Sequence, residues 1–275
     1  MKIGFQGTRG AYSEEAIYKI FGKEVTPVGY LLSEEVAEAL SRGEVDKAVL
    51  PVENSIAGNV AVNMDLLFQH DFYAYQECYL PIRHCLLALP GADIKNIKRV
   101  HSHPIALSQC RPFLREHNMI PTADRDTAGS CQMIVESQDP TQGAIASKLC
   151  AEYYGLQILR ENIQSQQNNI TRFLALSREK IKIEDANKTS LAFSTEHRAG
   201  ALLEILGLFK NHSLNLTRLE SRPIPNNPFQ YIFFVDVQAD LNSKEMQMCL
   251  QDILSGGHLV KILGSYHSGK ASLDT

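Results

Sequence analysis

Two α/β lobes followed by a smaller ferredoxin-like α+β domain are the architecture this sequence predicts. Three observations carry that reading: strand-helix-strand spacing that recurs through residues 1–178, a mostly charged stretch at residues 177–188, and a β-α-β-β-α-β order beyond it. A chain of 275 residues, 44% of them hydrophobic, is long enough to build a core in each of two domains.

The elements follow in order. Lys2–Phe5 reads as a strand and runs into a glycine-containing turn, Gln6–Ser13. A helix comes next, with Ala16, Ile17, Ile20 and Phe21 at helical spacing on one face. Ser33 before Glu34 and Glu35 marks a second helix start: an N-cap hydroxyl, then acids that complement the positive helix end. Val36, Ala37 and Leu40 form its buried stripe, and Ala48-Val49-Leu50 is the next strand. Strands and helices so spaced build a largely parallel sheet covered on both faces. The pattern returns around Arg99–His101 and Gly143–Ala146, which predicts a second lobe and a cleft between the two.

Past the charged linker, Ser190–Ser194 reads as a strand and Ala199–His212 as a helix, with Leu202, Ile205, Leu206 and Phe209 on one face. Leu214–Leu219 and Tyr231–Val237 read as strands joined by the turn Pro223-Ile224-Pro225-Asn226-Asn227-Pro228. A helix at Lys244–Leu254 and a strand at Leu259–Leu263 complete the small domain.

Composition removes several classes of function. A net charge of −4 and a pI near 6.1 supply no electrostatic footprint for nucleic acid or an anionic membrane. No apolar run approaches the ~18 residues of a membrane span, and Met1–Gln6 carries no secretory h-region. The six cysteines are scattered with no C-x-x-C pair, as expected of buried free thiols in a reducing cytoplasm.

Ligands of open α/β sheets collect beyond the carboxyl ends of the strands, and several polar turns fall there. Gly7 and Thr8 lie in the first turn, whose glycines either serve the turn alone or bring N–H groups to an anion. Glu53, Asn54 and Ser55 follow the strand ending near Leu50. Ser102 precedes Pro104, where it either caps a helix or contacts a ligand, or does both. Gln109, two turns on, faces either the surface or the cleft. His101 and His103 have the look of a metal pair but lack a third ligand at suitable spacing, so no metal is expected. Asn169-Ile170-Thr171-Arg172-Phe173 sets an amide, a hydroxyl and a guanidinium at the edge of an apolar run. Such groups suit a small substrate bearing carboxylates and a hydroxyl leaving group.

Together these motifs resemble the prephenate dehydratase family with its carboxy-terminal ACT domain. The likeness runs from Gly4 to about Tyr266 through Q-G-x-x-G (from Gln6), P-V-E-N-S-x-x-G-x-V (from Pro51), S-H-P-x-A-L-x-Q-C (from Ser102), D-T-A (from Asp126), N-x-T-R-F (from Asn169), G-A-L (from Gly200) and E-S-R-P (from Glu220). Any one motif is weak, whereas their order and spacing are specific. The resemblance implies a two-lobed, periplasmic-binding-protein-like catalytic domain over residues 1–178 and an ACT domain over 188–267. It implies a carbon-oxygen lyase that converts prephenate to phenylpyruvate, water and CO2 without a cofactor. Thr171 would donate to the departing hydroxyl, with Asn54, Ser102, Gln109 and Glu53 around it. Arg172 would take a substrate carboxylate, beside Phe173, Ser55, Gly7 and Thr8. Glu53 has two readings: it destabilises the departing carboxylate, or it acts protonated. Feedback by L-phenylalanine would use Gly200, Ala201, Leu202, Asn215, Leu216, Glu220 and Ser221, although Gly200 and Leu202 equally suit the start and packing of a helix. A homodimer or homotetramer in the cytoplasm is implied. The rival readings are arogenate dehydratase and a non-catalytic two-lobed ligand sensor.

Overall fold

In the first strand, β1 (Lys2–Gln6), Ile3 and Phe5 are buried, and its parallel neighbours build a doubly wound sheet around it. The computed structural model describes residues 1–224 and 227–269. Pro225 and Asn226, at the centre of the expected turn, lie outside the described residues. Packing divides the chain into two compact units, one of Met1–Asn59 with Tyr79–Phe173, the other of Val60–Cys78 with the chain from Leu174 onward.

The first lobe of the first unit comprises β1, α1 (Tyr12–Phe21), β2 (Thr26–Tyr30), α2 (Ser33–Arg42), β3 (Lys47–Asn54) and the short β4 (Gly58–Asn59). Its strand order is β11-β3-β1-β2, where β11 is Ile170–Ser177. Ser33 does not cap α2. Its Oγ donates to Gln6 Oε1 at 3.1 Å, and Glu35 accepts from the N–H groups of Leu31 and Leu32 instead. β3 runs past Leu50 through Glu53 and Asn54, and β11 contains Thr171, Arg172 and Phe173. These residues lie at strand ends, not in free turns.

After α3 (Ala61–Gln69) and β5 (Tyr73–Pro81), the chain enters the second lobe. There β6 (Cys85–Ala88), β7 (Arg99–Ser102), β8 (Ile120–Ala123), β9 (Gln142–Ala146) and β10 (Gln157–Arg160) form a sheet in the order β10-β6-β9-β7-β8. Alternation sorts its residues cleanly. Leu86, Val100 and Ile145 pack under α4 (Pro104–Gln109) and α5 (Arg111–Glu116) through Leu107, Cys110 and Leu114. Leu87, Ala144 and Ala146 pack on the other side, against Ala128, Cys131 and Ile134 of α6 (Thr127–Ser137) and Cys150 of α7 (Lys148–Tyr154).

Two crossovers, residues 82–84 and 161–169, join the lobes. They are laced together: Ile82 N–H donates to Asn169 O at 2.7 Å, His84 N–H to Gln164 Oε1 at 2.9 Å, and Ile163 N–H to His84 O at 3.0 Å.

The second unit carries β12 (Lys188–Ser194), α8 (Ala201–Asn211), β13 (Leu216–Ile224), β14 (Asn227–Val237), α9 (Lys244–Ser255) and β15 (Val260–Tyr266). Their antiparallel order β13-β14-β12-β15 is the ferredoxin-like arrangement expected of the small domain. Leu191, Phe193, Ile205, Phe209, Val235 and Ile253 are among the residues of its core. Gly264 approaches Ala74 of β5 so closely that a Cβ would lie 2.0 Å from the Ala74 carbonyl oxygen. All six cysteines are buried free thiols. Among the described residues, no helix is long and apolar enough to cross a membrane.

Candidate active site

Strand ends supply the centre of the site. The carboxyl end of β3 meets the amino end of β11: Ser55 N–H donates to Ile170 O at 2.9 Å, and Ile170 N–H returns a bond to Ser55 Oγ at 2.9 Å. Ser55 Oγ also donates to Asn168 O at 2.6 Å, so its hydroxyl is committed to holding the two segments together. That junction brings Asn54 against Thr171. Asn54 Nδ2 donates to Thr171 Oγ1 at 2.9 Å and to Asn169 Oδ1 at 2.8 Å, with Ile170 O further off at 3.3 Å. Asn169 and Thr171 are two residues apart, as neighbours on one strand face must be.

The row continues. Asn169 Nδ2 donates to Gln109 Oε1 at 2.9 Å, His84 Nε2 lies 2.8 Å from the same oxygen, and His84 Nδ1 lies 2.9 Å from Tyr12 OH. Burial holds the His84 pKa below its ordinary value, outweighing the bond to Gln109, and burial drives the Tyr12 phenol well above its own. Both groups are therefore uncharged at neutral pH. The second-lobe helix α4, the crossovers and both strands thus meet in one connected set of polar side chains.

Charge enters through Arg172 and Glu53, whose Nη1 and Oε2 are 3.8 Å apart. The Arg172 side chain is only 2% exposed, whereas that of Glu53 is 43% exposed. The guanidinium thus sits in a low-dielectric surround with its acid reaching water. Phe173, 2% exposed, is a core residue of β11.

Three expected members are placed differently from this cluster. Ser102 is fully buried and its Oγ donates to Ile145 O at 2.6 Å, tying β7 to β9. It does not cap α4; His103 does, accepting from Ile105 N–H at 3.3 Å. Thr8 donates to Asp126 Oδ2 at 3.2 Å, and Gly7 holds a positive φ of 128° in the same turn. That turn leans on the second lobe through Gly10, whose carbonyl accepts from Ser147 Oγ at 2.7 Å. Of the two histidines, His101 Nδ1 lies 3.4 Å from Asp124 Oδ2, whereas His103 Nδ1 accepts from Ile105 N–H. No His, Cys, Asp and Glu grouping able to hold a metal occurs among the described residues.

Sequence reasoning missed His84 and Tyr12, and named the Asn169 amide without giving it a role. Asn169 was legible in principle, standing one strand period before Thr171. A lone histidine between the apolar runs Leu80–Ile82 and Cys85–Leu89 carries no comparable signal.

In the second unit, Gly200 takes a positive φ of 85° immediately before α8, with Ala201 buried and Leu202 packed at the core's edge. Asn215 Nδ2 donates to Gln238 Oε1 at 3.0 Å. Leu216, Glu220 and Ser221 lie on β13, at the end of the strand order, and Glu220 is ion-paired with Arg218.

Residues 3–181 match the family model described as prephenate dehydratase. Arogenate dehydratase/prephenate dehydratase 2, chloroplastic, of Arabidopsis thaliana is 38% identical over 279 residues, covering 97% of this chain and 72% of that protein. Prephenate dehydratase from Arthrobacter aurescens, solved in complex with L-Phe, superposes with a TM-score of 0.90 at 29% identity, covering 98% of this chain and 90% of that one. GqqA, described as a novel type of quorum quenching acylase, has a TM-score of 0.91 at 32% identity, covering 99% of this chain and 100% of its own.

Proposed function

The chain belongs to the prephenate dehydratase family, and from that membership we propose that it converts prephenate to phenylpyruvate, water and CO2. Arogenate, the amino analogue, is the alternative substrate, and relatives bearing both names keep that choice open. Aromatisation drives the reaction, so the protein's task is to place the substrate and help its hydroxyl depart. The observation that supports this is the bond from Asn54 Nδ2 to Thr171 Oγ1. A hydroxyl that already accepts has its proton left to donate, and a donor is what a leaving hydroxide needs.

Gln109 spends its Oε1 on two donors, which leaves its Nε2 without a protein partner among the described residues and able to orient the substrate. Arg172 is assigned to a substrate carboxylate, its planar fork matching one bidentately, while Glu53 holds the guanidinium before substrate arrives. Ser102, Ser55, Gly7, Thr8 and Phe173 act through the frame of the cleft: their hydroxyls, backbone and ring fix the elements that carry Asn54, Gln109 and Thr171. Thr171 Oγ1 is bonded to an amide and Ser102 Oγ to a carbonyl, so neither is arranged with a base as an acyl-transfer nucleophile.

The catalytic part is assigned to residues 1–178 and an ACT regulatory module to 188–267. The ferredoxin-like topology of the latter and the L-Phe bound to the Arthrobacter relative support feedback by phenylalanine in a homodimer or homotetramer. Incubating the purified protein with prephenate should yield phenylpyruvate, and a parallel run with arogenate ranks the two substrates. Turnover of neither, with binding of one intact, would favour a ligand sensor and end the enzymatic reading.

A further inference from the structure

The crossover between the lobes puts a histidine at the far end of the amide row leading to Thr171, and the dehydratase reading so far gives it no task. The direction of that row is set at its other end. Asn54 Oδ1 accepts from two backbone N–H groups, Ile56 at 3.0 Å and Ala57 at 2.8 Å. A backbone N–H only donates, so the Asn54 amide has one allowed orientation, with Nδ2 toward Asn169 and Thr171. Asn169 must then offer Oδ1 to Asn54 and Nδ2 to Gln109, which in turn must present Oε1 to Asn169 and to His84. An oxygen lone pair facing an imidazole nitrogen at 2.8 Å requires a proton on that nitrogen. Inverting any one amide sets like atoms face to face, and the mismatch ends only at the backbone of residues 56 and 57.

We propose that His84 and Asn169 are positioning residues for the dehydration: with the Asn54 amide fixed by the backbone, Asn169 and His84, held with its proton on Nε2, lock Gln109 in the one orientation that agrees with Asn54 and turns Gln109 Nε2 to the substrate. This rests on the dehydratase reading of the site. Its geometry is independent of that reading, because the polarity follows from the backbone donors alone. The lowered pKa of His84 agrees with a single ring proton, and the one proton of Tyr12 OH, which donates to Arg83 O at 2.9 Å, is shared with His84 Nδ1, also 2.9 Å away. Tyr12 also packs edge-on against the imidazole, with centroids 5.6 Å apart, which limits rotation of the ring.

Two measurements on the full chain test this. Side-chain nitrogen NMR shifts of His84 at neutral pH should report Nε2 protonated and Nδ1 bare. That form should persist in Thr171→Ala and give way to a tautomer mixture in Asn169→Leu. In turnover, His84→Leu should lower kcat on the order of 10²-fold, with KM moving by no more than about threefold, because misplacing the donor affects the transition state more than binding. His84→Gln, whose amide N–H can replace Nε2–H, should recover kcat to within about tenfold of wild type. Equal kcat in the Leu and Gln variants, or an Nδ1-protonated His84 in active wild-type protein, overturns the relay alone. Wild-type protein that turns over neither prephenate nor arogenate overturns the dehydratase reading, and with it the positioning role.

Discussion

Asn54 is the side chain on which the polar order of the site turns, because it is the only member of the row anchored on main-chain donors. Asn54→Asp is therefore a sharper test than Asn54→Ala. The shape is kept, but an acceptor replaces Nδ2, and the Thr171 hydroxyl must then donate inward. We expect kcat to fall by about two decades or more, the size of a lost acid-base contribution, with circular dichroism unchanged. Arg172→Ala should chiefly raise KM, since a carboxylate contact serves substrate and transition state alike. Glu53, 43% exposed, stays hydrated in that variant, so the loss is confined to binding. An unaltered KM would place the substrate carboxylate elsewhere. At this scale the residues themselves singled out Thr171 and Asn54, because each sets a polar function at the edge of an apolar run; helical spacing left Gln109 between surface and cleft, and only the family resemblance gave it a role. Neither route gave access to His84 or Tyr12, whose contribution arises only when the crossover, α4 and the first turn come together. Ser102 misled for the same reason: a serine before His-Pro reads as a cap, yet burial turns its hydroxyl to a neighbouring strand.

Strands were recognisable wherever apolar residues alternated, and were cut short wherever polar chemistry sat on them. β3 was expected to end near Leu50 because Pro51, Glu53 and Asn54 are poor strand formers, and β2 went unread because Pro27 and Gly29 interrupt it. Tertiary pairing overrides both penalties. β2 is the outermost strand of its lobe, where a proline is tolerated, and a Cβ on Gly29 would lie 2.5 Å from Gly7 O. Gly10 is the strictest position in the first turn. Its φ is +90°, and an added Cβ would lie 2.8 Å from Cys150 Sγ and 3.2 Å from the Cys150 Cα. Gly10→Ala should cost about 1–3 kcal/mol through left-handed strain and overpacking, read as a lower urea midpoint with unchanged slope. Asp126→Ala removes the side-chain acceptor for Gly129 N–H at the start of α6, a cap worth about 0.5–2 kcal/mol, and also the partner of Thr8.

Across the whole molecule, the expected fold class held because the two units announce themselves differently: strand-helix alternation in one, β-α-β-β-α-β order in the other. Ligand-linked behaviour follows from the same division. Phenylalanine in the millimolar range should bind with measurable heat and lower turnover, through different affinities for two states of the oligomer. Indifference of both signals to phenylalanine removes the regulatory proposal and leaves the catalytic one untouched. Stability should also carry a mark of His84. Its folded-state pKa lies below the ordinary 6.5, so the unfolded chain binds a proton that the folded chain resists. This contribution therefore leaves stability intact above about pH 6.5 and lowers it progressively as the pH falls below that value. Urea titrations at pH 7 and pH 5 should show a smaller loss in His84→Gln than in wild type. The measurement closest to the centre of the account is the turnover of Thr171→Ala on prephenate. The donor role predicts a kcat lower by about two to four decades with KM little changed and the fold intact. A kcat near that of wild type would contradict it and take Thr171 out of the mechanism.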